Sequence, residues 1–98
     1  LMVWGEALSD GDLLDAQTDA DRLVGSPLTA GPDYDTYATG IGEIDGWWGH
    51  TGEGFGYTTL VMHQPRSGAT VVILMNVSNL DRHVPTVLFR EFAEILAQ

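Results

Sequence analysis

From Ala69 to Val77 the chain carries no charge, and its centre, Val71-Val72-Ile73-Leu74-Met75, is a continuous apolar run of β-forming residues. A run of this kind reads as a strand in the middle of a sheet, covered on both faces. Just upstream, Phe55 to His63 alternates, with Phe55, Tyr57, Thr59 and Val61 on one face and Thr58, Leu60 and Met62 on the other. Gln64-Pro65-Arg66-Ser67-Gly68 between them is a turn, so the two segments predict an antiparallel hairpin. That hairpin commits the chain to a sheet, and the flanking sequence must cover it.

The flanks supply helices. Leu1, Trp4 and Leu8 recur at helical spacing before Ser9-Asp10-Gly11-Asp12 breaks the pattern. Without an N-cap ahead of Leu1, this reads as a helix running in from upstream. Leu13 and Leu14 are expected to pack on the core. Asp15 is placed to cap a short helix over Ala16 to Val24 that buries Leu23 and Val24, and Gly25-Ser26-Pro27 ends it. Near the C-terminus, Val84, Val87, Leu88, Phe92, Ile95 and Leu96 fall on one stripe of a helix, with Asp81 as candidate N-cap and Pro85 in the first turn. Between these flanks, Thr29 to Tyr37 is rich in Gly, Pro, Asp and Thr and reads as a surface loop, and Tyr37 to Ile44 as a first strand. The expected architecture is α+β in one partial domain: a helical segment over 1–25, a loop over 26–37, antiparallel strands over 38–78 and a helix over 82–98.

Composition narrows the function classes. The 98 residues include four Arg, no Lys and fourteen Asp plus Glu, a formal net charge of −10. That field repels phosphate backbones and anionic membrane surfaces, which argues against nucleic acid as a partner. No run is apolar and long enough to span a membrane. Zero Cys removes disulfides, thiolate nucleophiles and Cys-based zinc sites. His50, His63 and His83 lie too far apart for a metal motif, and Asp10, Asp12, Asp15, Asp19 and Asp21 lack the order of a calcium loop, so neither metal nor cofactor is expected. His63, at a strand end before a turn, reads as a surface residue, and His83 has no assigned role.

The chemistry concentrates in Trp48-Gly49-His50-Thr51-Gly52, followed by Glu53-Gly54-Phe55-Gly56-Tyr57. Glycine admits a ligand close to the main chain, while His50 and Thr51 add a titratable ring and a hydroxyl. This box resembles the Lys/His-Thr/Ser-Gly box of the penicillin-recognising serine hydrolases: class C β-lactamases, serine D-alanyl-D-alanine carboxypeptidases and related esterases. The resemblance extends in order along the chain, through Trp4-Gly5-Glu6-Ala7-Leu8, Leu13-Leu14, the Gly-rich strand before the box, the Pro65 to Gly68 turn, the strand ending Leu74-Met75-Asn76 and the closing helix.

The resemblance implies a serine hydrolase acting on amide, ester or β-lactam carbonyls of a small-molecule or peptide substrate through an acyl-enzyme. His50, Thr51, Gly52 and the backbone N–H of Glu53 would belong to the catalytic wall, the N–H as half of an oxyanion hole, with Gly54 and Trp48 toward the substrate. The Thr51–Gly54 edge would take an extended substrate as an added strand, and His in place of Lys leans toward the peptidase and esterase side. A cell-envelope location is implied by the resemblance alone. The family's Ser-x-x-Lys and Tyr-x-Asn boxes are both missing: there is no Lys, and Tyr34, Tyr37 and Tyr57 are each followed two places on by Thr. Nucleophile and base are therefore expected from an upstream part of the same protein, and the isolated segment is expected to be inactive and to self-associate. The alternatives are an esterase of the same family, or a non-catalytic homologue or oligomerising fragment.

Overall fold

The computed structural model describes residues 1–28 and 34–98. Six strands, β1 (Ser26–Pro27), β2 (Thr36–Tyr37), β3 (Gly42–Ile44), β4 (Trp47–Gly54), β5 (Tyr57–Gln64) and β6 (Ala69–Met75), form one sheet in sequential order. Every neighbouring pair is antiparallel. Helices α1 (Met2–Asp10) and α2 (Ala16–Arg22) precede the sheet and α3 (Val84–Leu96) follows it. The fold class is therefore α+β, built on an antiparallel sheet.

The expected β5–β6 hairpin forms, in a register running from Thr58↔Met75 to Gln64↔Ala69. β5 starts at Tyr57, because Phe55 and Gly56 make the turn after β4 and the Phe55 ring is fully exposed. A second hairpin joins β3 to β4 through Asp45-Gly46. Both residues have positive φ (52° and 85°), the pairing of dihedrals that matches strand twist in a two-residue turn. Tyr37 to Ile44 is correspondingly two short paired strands, β2 and β3, rather than one. β1 and β2 lie within the expected 26–37 loop, of which Thr29 to Asp33 falls outside the described residues.

Alternation on β5 sets the layers. Leu60 and Met62 face α3 and join Tyr34, Ile44, Trp47 and Phe89 in the core, where Phe89 meets Trp47 edge-on at 5.3 Å. Val61 and His63 face the other way, against α1. α1 sits close because its buried positions are Gly5 and Ser9; a Cβ on Gly5 would lie 2.4 Å from Val61 Cγ2. Leu1 and Trp4, expected on the buried stripe, are exposed. Leu13 and Leu14 are exposed as well, lining a groove of about 190 Å³ with Trp4 and Leu8 instead of packing on the core.

α2 ends at Arg22, short of the expected Val24, which is exposed. The Asp15 cap forms as expected, its carboxylate accepting the Thr18 N–H at 2.7 Å. Arg22 pairs with Asp19 and donates to the Leu8 carbonyl, tying α2 to α1. In α3 the N-cap is His83 rather than Asp81, with Pro85 in the first turn as expected. The buried side of α3 is Pro85, Thr86 and Phe89, while Leu88, Phe92, Ile95 and Leu96 of the expected stripe are exposed. β6 is an edge strand, not a central one, and its Leu74 is exposed.

Candidate functional site

His50, Thr51, Gly52, Glu53 and Gly54 form the second half of β4. β5 pairs with β4 over Trp48–Gly54, but β3 pairs with it only over Trp47–Gly49. From His50 onward, among the described residues, no strand pairs with β4 on the β3 side. That edge carries the backbone groups of Thr51 and, by strand alternation, those of Glu53. The Thr51 N–H is occupied: it donates to Tyr34 Oη at 2.7 Å, and the same hydroxyl lies 2.9 Å from Thr51 Oγ1.

Thr51, Gly52 and Glu53 line an open cleft of about 380 Å³ whose opposite wall is Leu80, Asp81, Arg82 and His83. Three hydrogen bonds bind residues 77–79 to the tip of the β4–β5 hairpin. The Asn79 N–H donates to Glu53 Oε1 at 3.1 Å, the Gly56 N–H to Ser78 Oγ at 3.0 Å, and Thr58 Oγ1 to the Val77 carbonyl at 3.0 Å. His83 Nε2 lies 3.2 Å from the Gly52 carbonyl oxygen, and its Nδ1 lies 2.8 Å from Thr86 Oγ1.

His50 does not line this cleft. Its Nδ1 is 2.5 Å from the Thr51 carbonyl oxygen and its Nε2 is 2.6 Å from Tyr37 Oη. A carbonyl only accepts, so Nδ1 carries a proton, and Nε2 shares a hydrogen bond with the Tyr37 hydroxyl; both ring nitrogens are satisfied. Tyr34, Tyr37 and His50 stack as a tilted aromatic group with centroids 5.2 to 5.8 Å apart.

The glycines of the box answer mainly to packing. A Cβ on Gly49 would stand 1.9 Å from the Val61 backbone oxygen, and one on Gly52 would stand 2.5 Å from Thr59 Oγ1. Gly54, the last residue of β4, has open space where a Cβ would go and lines a separate surface hollow with Glu53, Phe55 and Asn79. Trp48 is half-buried and absent from the cleft lining, while Trp47 is in the core.

The three histidines depart from their expected places. His63 is buried, not on the surface, with Nδ1 2.8 Å from Thr70 Oγ1 and Nε2 3.5 Å from Asp10. The Asp10–His63–Thr70 line has the composition of a relay, but His63 is 1% exposed and not among the residues of the cleft, so it holds α1 to the sheet. His83, to which the sequence assigns nothing, is in the cleft wall. Sequence reasoning also misses Tyr34 and Tyr37; the only local signal is two tyrosines three residues apart before a strand. Among the described residues no group of His, Asp and Glu is gathered as a metal site, and no helix is long and apolar enough to cross a membrane.

Comparison with known proteins adds no constraint: no protein-family model, no curated protein and no solved structure matches this chain.

Proposed function

We propose that this chain is one wall of a serine-dependent acyl-transfer site, β-lactamase/transpeptidase-like in architecture, in a protein that acts on amide, ester or β-lactam carbonyls. β4 supplies the Glu53 N–H as one oxyanion donor and, beyond the occupied Thr51, a short strand edge for the acyl group. The serine and its base come from another segment of the protein, since the chain holds neither Ser-x-x-Lys nor Tyr-x-Asn. The observation that carries the reading is the half-paired box strand: from His50 no strand among the described residues pairs with its outer edge, where Tyr34 and His50 take the Thr51 groups and the Glu53 groups follow, beside a cleft lined by Thr51, Gly52 and Glu53.

The exposed apolar side chains of α1 and α3, and the uncovered edge of β6, fit the same reading as surfaces for the remainder of the protein. In the isolated segment they would drive self-association.

A second reading within the family has its own support. Both ring nitrogens of His50 are engaged, by Tyr37 and Thr51, and the ring does not line the cleft, so His50 offers no donor there to a substrate carboxylate. That favours an esterase of uncharged substrates over a carboxypeptidase. The test is intact mass of the protein from its native source, followed by labelling with a fluorophosphonate and, separately, a fluorescent penicillin. An adduct on a polypeptide containing this sequence supports acyl transfer, and labelling by the phosphonate alone supports the esterase. A species of 10.6 kDa that takes up neither probe rules out the proposal.

A further inference from the structure

The peptide group between Gly52 and Glu53 is held from one side by a residue thirty-one positions away. Its carbonyl oxygen and the Glu53 N–H belong to one rigid plane and point in opposite directions, so whatever fixes the oxygen aims the N–H. The His83 ring reaches that oxygen at 3.2 Å. Because a carbonyl only accepts, Nε2 carries the proton. The other nitrogen shares a hydrogen bond with the Thr86 hydroxyl at 2.8 Å, and Thr86 is 2% exposed in the first turn of α3. The ring is therefore set by a buried group on a helix anchored through Phe89.

We infer that His83 is a positioning residue for the Glu53 oxyanion donor, which rests on the acyl-transfer reading of the same site. Its side chain makes no capping bond to the backbone of its own helix, although it occupies the N-cap; its bonds go to Thr86 Oγ1 and across the cleft to β4. Hydrogen bonding to a peptide oxygen also polarises the N–H at the far end of that peptide, strengthening it as a donor. Glu53 is held a second time through its carboxylate, by the Asn79 N–H, and Gly52 is paired with Thr59 in the β4–β5 ladder; His83 adds a side-chain hold from outside the sheet on the peptide that carries the donor. A donor prealigned in this way needs no reorganisation when charge develops on the substrate oxygen.

The test compares His83→Leu, which removes the donor, with His83→Gln, whose amide reaches as far as Nε2 and keeps an N–H. Both are made in the full protein, and acylation by p-nitrophenyl butyrate is followed in single turnover and at steady state. The Leu variant is expected to slow acylation about 10- to 100-fold with KM unchanged, since small misalignments of a catalytic group cost this much. Gln is expected to restore most of the rate. In the ¹⁵N-labelled protein the Glu53 amide proton should shift upfield in the Leu variant and stay near its wild-type position in the Gln variant. If Leu does not fold, His83→Asn, which ends short of the Gly52 oxygen, replaces it in both measurements. Unchanged acylation, a rise in KM alone, or an unmoved Glu53 amide overturns the inference. If wild-type protein forms no acyl-enzyme, the acyl-transfer reading fails, and the Glu53 amide still decides whether His83 positions that peptide.

Discussion

Replacing Tyr34 by Phe removes one oxygen atom and tests whether the candidate site is built into the fold. The Tyr34 hydroxyl accepts the Thr51 N–H at 2.7 Å and shares a hydrogen bond with Thr51 Oγ1 at 2.9 Å. Each such bond contributes about 0.5–1.5 kcal/mol net. The Thr51 hydroxyl is half-buried and can turn to water. The amide, on a strand edge beside a 9% exposed tyrosine ring, is harder to resatisfy. The expected loss is therefore about 1–2 kcal/mol, a sizeable part of the 5–15 kcal/mol typical of a domain. Urea unfolding of Tyr34→Phe should show the midpoint lowered by about 0.5–1 M with an unchanged slope. Hydrogen exchange at the Thr51 amide should accelerate about 5- to 30-fold, the population change such an energy implies. An unchanged midpoint together with unchanged exchange at Thr51 would refute the bond and, with it, the idea that Tyr34 holds the box strand.

Four further outcomes follow from the packing. Phe89→Ala, which empties the ring against Trp47, should cost about 3–5 kcal/mol in the same urea assay; a loss under about 1 kcal/mol would mean that α3 does not anchor the core. Gly49→Ala should cost about 1–3 kcal/mol or more, because its Cβ meets backbone rather than a movable side chain; a neutral result would show that β4 and β5 are not so close there. The Asp15 carboxyl sits below its ordinary value of 3.8 because the Thr18 N–H donates to it. Its cap on α2 is therefore fully effective above that value and lost as pH falls through the lowered one, and a ¹³C titration midpoint at or above 3.8 would contradict the cap. The chain made alone should sediment as a self-associated species through its exposed apolar helices and β6 edge, and a sharp monomer boundary would count against those surfaces.

Local chemistry was legible where it was self-contained. Strict alternation around an obvious turn identified β5 and β6, and Asp15 and Pro85 marked helix starts through backbone rules that need no tertiary context. Asp45-Gly46 carried an equally local hairpin signal that went unread. Burial was not legible, because it depends on what each element meets. α1 packs through Gly5 and Ser9, where small side chains admit Val61, so its large apolar residues turn outward. α3 is apolar around most of its circumference, and the stripe of largest side chains was not the side that Phe89 and Thr86 bury. β6 has the composition of a central strand but stands at an edge. In the site, His50 to Glu53 could be read because they are contiguous. Tyr34, Tyr37 and His83 reach the box only through the chain's folding, and nothing near them in sequence announces it.

The most direct measurement is a crystal structure of the protein from its native source after treatment with the phosphonate, in which the proposal requires an adduct on a serine. The expected result has the phosphoryl oxygen within about 2.7–3.1 Å of the Glu53 nitrogen, the distance of an oxyanion donor, with the remainder of the adduct along the open edge of β4. An adduct whose oxygen lies against other donors, with β4 from Thr51 to Gly54 untouched, would contradict the assignment of this strand to the catalytic wall.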